Sequence, residues 1–119
     1  MKKHVIDIAL LTQQDLHELA ILQRELIDEE ADIIRMRALL PMILQDRNSY
    51  LLRARKNGVL VGSLAAIVCH DLFGKCMPFM IIENMIVTGD ERGQGIGALL
   101  MQEAEIIAQE RKWRLGVTS

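Results

Sequence analysis

The chain has almost no aromatic residues. Tyr50, Phe73, Phe79 and Trp113 are the complete set among 119 residues. So few aromatics exclude a stacking platform for single-stranded nucleic acid. They also leave the core to Leu, Ile, Val, Met and Ala. No block of basic residues exists and the formal net charge is −2, which argues against nucleic acid as a partner. The longest unbroken apolar run, Leu64–Cys69, is far too short to span a membrane. Cys69 and Cys76 are the only cysteines and form no metal-ligand set; no metal site is expected. No secretory signal precedes them, so free thiols and a cytoplasmic location are expected. Internal repeats, low-complexity segments and flexible linkers are also missing, and the length fits one domain.

What is present is a clear succession of periodic segments. Val5, Ile6, Ile8 and the residues to Leu11 read as a first strand. Thr12, with Asp15 three residues on, resembles a capping box at a helix start. Leu16, Leu19, Ala20, Gln23, Leu26 and Ile27 recur at helical spacing, which predicts an amphipathic helix over 13–28. A second helical segment covers 31–44, with Pro41 expected to break or kink it. Residues 51–56 and 59–69 are β-like and flank Asn57-Gly58, a strong hairpin signal. Phe79–Thr88 reads as a buried strand, 95–111 as a helix and Trp113–Thr118 as a last strand. The order is β-α-α-β-β-β-α-β.

Between the Phe79–Thr88 strand and the 95–111 helix lies Arg92-Gly93-Gln94-Gly95-Ile96-Gly97-Ala98. Glycines allow a ligand to approach the backbone. The helix start adds unpaired N–H groups and the positive end of a dipole, and Arg92 adds a full charge. Such a site binds an anion, and a pyrophosphate fits best. A P-loop needs Gly-Lys and then Ser or Thr, which Gly97-Ala98-Leu99 does not supply. The dinucleotide fingerprint in its alanine-ended form does match Gly93 to Ala98. It should follow the first strand of a βαβ unit, however, and here it follows a run of hairpins. The bland reading is a tight strand-to-helix connection, which requires neither alternating glycines nor an adjacent arginine.

Arg92-Gly93-Gln94-Gly95-Ile96-Gly97 resembles the R/Q-x-x-G-x-G/A signature of the GNAT superfamily of N-acetyltransferases. The Asn57-Gly58 hairpin followed by Val61-Gly62, the Ile82-Glu83-Asn84 strand and the helix to Arg111 resemble that family at its usual spacing. The resemblance implies an α/β (α+β) fold with a GNAT-like mixed sheet. It implies acetyl-CoA as cosubstrate and a small-molecule or peptide amine as acceptor, acetylated by direct attack. Arg92, Gly93, Gln94, Gly95, Ile96, Gly97 and Ala98 would hold the coenzyme A pyrophosphate, with Arg92 either on phosphate or bracing the loop. Backbone groups at Met85, Ile86 and Val87 would bond the pantetheine arm, and one N–H there would polarise the acetyl carbonyl.

Glu83 is the candidate base. A carboxylate buried in that apolar run would have a raised pKa and could accept a proton near neutrality; the alternative is a structural acid bonded to backbone or Asn84. His70, at a strand end near the expected acceptor mouth, is the second candidate. Asp28, Glu29, Glu30 and Asp32 could attract a cationic amine, although a solvated helix end is the plainer reading. The family continues with a further helix and two strands after the last strand seen here. The resemblance therefore implies a C-terminally truncated member, an exposed last strand and self-association through that edge. A coenzyme A-binding or interaction module with little turnover is the alternative reading.

Overall fold

The structure, a computed structural model, describes residues 5–111 and the backbone of 114–117. The first strand, β1, is Ile6–Leu10. A 3-10 turn over Gln13–Asp15 leads into α1, Leu16–Ile27. The expected cap is present: the Thr12 N–H and hydroxyl both donate to Asp15 Oδ2, at 2.7 and 3.1 Å. Asp28 ends α1 in the left-handed conformation, with φ 49°.

The second helix, α2, runs Ile33–Gln45 and passes through Pro41 without a break. A proline removes one N–H, which frees the carbonyl four residues earlier. That carbonyl, on Arg37, accepts from Gln13 Nε2 at 3.2 Å. The cost that should have ended the helix is offset by a tether to the start of α1. Asp32 caps α2 by accepting from the Arg35 N–H at 3.0 Å.

Strands β2 (Ser49–Lys56) and β3 (Val59–Cys69) form the expected hairpin. Asn57 and Gly58 both have positive φ, 52° and 84°, as a two-residue turn of matching twist requires. Then come β4 (Phe79–Val87), α3 (Ile96–Glu110) and β5 (Arg114–Val117). Trp113 and Thr118, the expected ends of the last strand, lie outside the described residues. The strands form one sheet in the order β1-β2-β3-β4-β5. Only the β4–β5 pairing is parallel. The architecture is the mixed α+β sheet that the sequence implies, with each element in its expected order.

Two apolar layers cover the sheet. On one face Ala66, Val68, Met80 and Ile82 pack against Ile96, Leu100 and Ala104 of α3. Gly62 belongs to this face by necessity. A Cβ there would stand 2.9 Å from the Ile86 carbonyl oxygen and 3.3 Å from methyls of Ile96 and Leu100. On the other face Leu11 and Leu60 meet Leu16, Leu19 and Leu22 of α1 and Leu40 of α2. An ionic network secures that second layer. Asp15, 2% exposed, accepts from Arg55 Nη2 at 2.6 Å and Nε at 3.1 Å. Glu18 takes two further Arg55 bonds, at 2.9 and 3.2 Å, and accepts from the Leu60 N–H at 3.1 Å.

Burial pushes the Asp15 carboxyl up, but the bonds from Arg55 and Thr12 outweigh it and leave it below the usual carboxylate range. Hydrogen bonding from Arg55 lowers Glu18 in the same way. The two carboxylates, Glu18 foremost, hold the Arg55 guanidinium charged. The motif is a fixed salt cluster that ties α1 to the β2–β3 hairpin.

Candidate functional site: a glycine cradle beside a bulged strand

The Thr88 N–H bonds the Val61 carbonyl at 2.9 Å, which anchors the end of β4 to β3. A 3-10 turn over Gly89–Glu91 follows. Its Glu91 is held by Lys56 Nζ at 2.8 Å, with both side chains mostly buried. This pair fixes the loop to the end of β2 and neutralises the carboxylate nearest the cradle. Gly93 and Gly95 then adopt φ of 80° and 85°, a region that side chains rarely occupy. Gly97 does not. It sits in the first turn of α3, where an added Cβ would meet Met85 and Val87 at ordinary contact distances of 3.8 Å. Two of the three glycines are therefore required by backbone conformation, and the third only brings helix and strand close.

The result is a row of free donors. The Gln94 N–H bonds the Glu91 carbonyl at 3.2 Å, and Leu99 makes the first bond of α3, to the Gly95 carbonyl at 3.0 Å. Among the described residues, the N–H groups of Gly93, Gly95, Ile96, Gly97 and Ala98 have no backbone acceptor. They cluster at the positive end of α3. Arg92 is exposed and makes no side-chain bond or ion pair among the described residues. Ile96 is 1% exposed and pins the helix start into the α3-side core. These donors are uncommitted, an arrangement that suits an anion.

The strand leading to the cradle carries an irregularity that the sequence did not announce. Ser63 pairs with Ile86 and Ala65 with Glu83, so Leu64 stands opposite both Asn84 and Met85. That is a β-bulge with one extra residue on β4. Asn84 bears it, at φ 53°. Before the bulge, Met80 and Ile82 face α3; after it, Ile86 joins the α1–α2 layer and Val87 the α3 side. The β4–β5 ladder covers only Phe79–Ile82. Met85, Ile86 and Val87 lie on the segment of β4 after the bulge, which ends at the cradle.

Glu83 precedes the bulge and is half-buried, a correction to the fully buried carboxylate expected from the apolar run. Cross-strand partners project to the same face, so Glu83 shares a face with Ala65. Ala65 lines a cavity of about 460 Å³ between α1 and the sheet. Leu19, Gln23, Ile27, Ser63, Asn84 and Ile86 also line it. The candidate base, the bulge and the cavity are therefore adjacent.

His70 is not. It follows Cys69, which pairs with Phe79 at the far end of β4. It lies five positions beyond Ala65, roughly 17 Å along the strand, and so away from the cavity beside Glu83. Of the acidic residues between the helices, Asp32 is a helix cap. Asp28, Glu29 and Glu30 are exposed, in keeping with a solvated helix end. The cavity and the Lys56–Glu91 brace escaped sequence reasoning, since each depends on contacts between distant segments.

Among the described residues no helix is long and apolar enough to cross a membrane. No curated protein matches the chain. Solved structures do. A ribosomal-protein-alanine N-acetyltransferase from Brucella melitensis biovar Abortus 2308 is 29% identical with a TM-score of 0.78, over 97% of this chain and 80% of that one. A glucosamine-6-phosphate N-acetyltransferase from Arabidopsis thaliana, 12% identical, superposes with a TM-score of 0.85, over 97% and 82%. An aminoglycoside acetyltransferase from an uncultured soil metagenomic sample, 20% identical, gives 0.76 over 96% and 77%. The last two likenesses show the fold alone. The model of the acetyltransferase (GNAT) family matches residues 14–118. With the cradle, the bulged strand and nearly the whole length of the chain matched, the protein belongs to the GNAT acetyltransferase family.

Proposed function

We propose that the protein transfers an acetyl group from acetyl-CoA to a primary amine by direct attack. The observation that carries this reading is the set of uncommitted N–H groups at Gly93 and Gly95–Ala98, with the unpaired Arg92 beside them. They suit a pyrophosphate in number and charge. The end of β4 at Met85–Val87 leads away from that cradle toward the bulge. A thioester arm laid along it would bring its carbonyl to the backbone N–H groups there, which act as oxyanion donors. The amine nitrogen attacks that carbonyl, a C–N bond forms, the C–S bond breaks and the sulfur leaves with the bonding pair as a thiolate, which takes a proton from water. Glu83, next to the cavity, takes the proton that the amine gives up. The names of the neighbouring structures, which include acetyltransferases of protein, sugar and aminoglycoside amines, support an amine acceptor.

Calorimetric titration with acetyl-CoA tests the cradle. Gly95→Asp sets a carboxylate against phosphate and should reduce affinity at least about a hundredfold, but it also strains a positive φ. Ala98→Asp, at an exposed position in the first turn of α3, keeps the helix favourable and should weaken binding in the same direction with the fold intact. Unchanged affinity in both variants would remove the cradle from the site. For the base, Glu83→Gln should lower kcat at least about tenfold with acetyl-CoA affinity unchanged; a kcat equal to the parent's would rule Glu83 out.

A further inference from the structure

The cavity beside Glu83 has a composition that selects among amines. Its apolar walls come from Leu19, Ile27 and Ile86, with Leu51 and Leu64 adjoining. Among the described residues, no Asp, Glu, Lys, Arg or His lines it. Three neutral polar side chains, Gln23, Ser63 and Asn84, reach it from α1, β3 and the bulge. None of the three makes a side-chain hydrogen bond among the described residues. Ser63 is nonetheless only 8% exposed. Gln23 is half-buried and Asn84 exposed. All three side chains keep their hydrogen-bonding capacity for a guest that brings neutral polar atoms of its own. The volume suits a small molecule.

From this lining we infer that the cavity receives the body of the acceptor, and that this body is an uncharged apolar group with a neutral polar function, as in the amide of a leucine- or phenylalanine-like amino acid. The inference rests on the acetyl-transfer reading for its use, though not for its geometry. Gln23, Ser63 and Asn84 would bond the acceptor's amide. Leu19, Ile27 and Ile86 would hold its side chain, and the amine would point past Ala65 toward Glu83. A polycationic aminoglycoside would bring ammonium groups against walls without a carboxylate. A phosphorylated amino sugar would bring a dianion to walls without a cation. Each would lose its hydration without a paired charge.

Two measurements on the full chain test this. In the first, kcat/KM is compared for leucinamide, phenylalaninamide, an aminoglycoside and glucosamine 6-phosphate. The amides should lead by at least about a hundredfold. Ala65→Leu, which fills the cavity, should raise the KM for the amides about tenfold or more and leave acetyl-CoA affinity unchanged. Gln23→Glu should shift preference toward the dicationic amines. Faster turnover of the aminoglycoside or the sugar phosphate, or an unaltered KM in Ala65→Leu, would overturn the assignment.

The second measurement is independent of turnover. Methyl resonances of Leu19, Ile27 and Ile86 should move on adding leucinamide alone, and should not move in Ala65→Leu. Methyl shifts without acetyl-CoA binding would sink the acetyl-transfer reading and leave the cavity assignment standing. Methyls that stay still while acetyl-CoA binds would do the reverse.

Discussion

The two faces of the sheet are built on different principles. The α3 face is filled: Ala66, Met80, Leu100 and Ala104 have no exposure at all, and Gly62 is small because α3 and the Ile86 carbonyl occupy the space of a Cβ. The α1–α2 face is held apart. A salt cluster at Asp15, Arg55 and Glu18 fixes one end of α1, and a cavity of about 460 Å³ lies beneath the rest. Close packing fixes the first face. The second combines a buried leucine cluster with polar links and leaves a gap beside them. The glycine cradle grows from the filled face and the cavity belongs to the other. The bulge at Asn84 is where β4 changes from one to the other.

Breaking the salt cluster should have the largest effect on this contrast. Asp15→Asn removes the charge that holds Arg55 and should destabilise the protein by about 3 kcal/mol, at the low end for a broken buried pair because Glu18 still holds the guanidinium. The same cluster sets an acid dependence. Asp15 and Glu18 both titrate below their ordinary values of 3.8 and 4.5 in the folded chain. In that window the unfolded chain binds more protons, so the contribution is complete above those ordinary values and is lost as the pH falls through the depressed ones. Denaturant midpoints below pH 5 should fall less steeply in Asp15→Asn than in the parent. An identical slope would remove the cluster from the account of this face.

A smaller and sharper comparison uses two consecutive alanines. Ala66 points into the filled face and Ala65 into the cavity. Ala66→Leu should overpack and cost about 1–3 kcal/mol. Ala65→Leu should change stability by less than about 0.5 kcal/mol, since the added atoms enter empty space. Equal losses at both positions would show that the two faces are packed alike.

Much of this was legible in the chain. Period-2 alternation, Asn57-Gly58 and the Thr12–Asp15 cap are local signals, and local signals survive folding. Gly93 and Gly95 were legible because a positive φ leaves a residue-type signature. Gly97 shares the signature without needing the conformation. The Asn84 bulge was hidden, since an added residue puts Phe79–Glu83 out of step with Met85–Val87 and blurs any period read across both. Glu83 looked buried for that reason. At Pro41 the helix does not break, and the local rule took no account of the Gln13 side chain, far off in sequence, which bonds the freed carbonyl. The cavity had no local mark, since it is a distance between elements. The Asp15–Arg55 pairing spans 40 residues and left only half its outline, in the cap.

The carbonyl released by Pro41 has a consequence for how α2 can vary. Its tether to Gln13 engages the backbone of residue 37, so it is indifferent to the side chain there. The outer face of α2, where Ile34, Met42 and Leu44 are already exposed, can drift in sequence while its attachment to the start of α1 stays the same. The helix is fastened like a panel on a hidden clip, and its visible surface can be exchanged without disturbing the wall behind it.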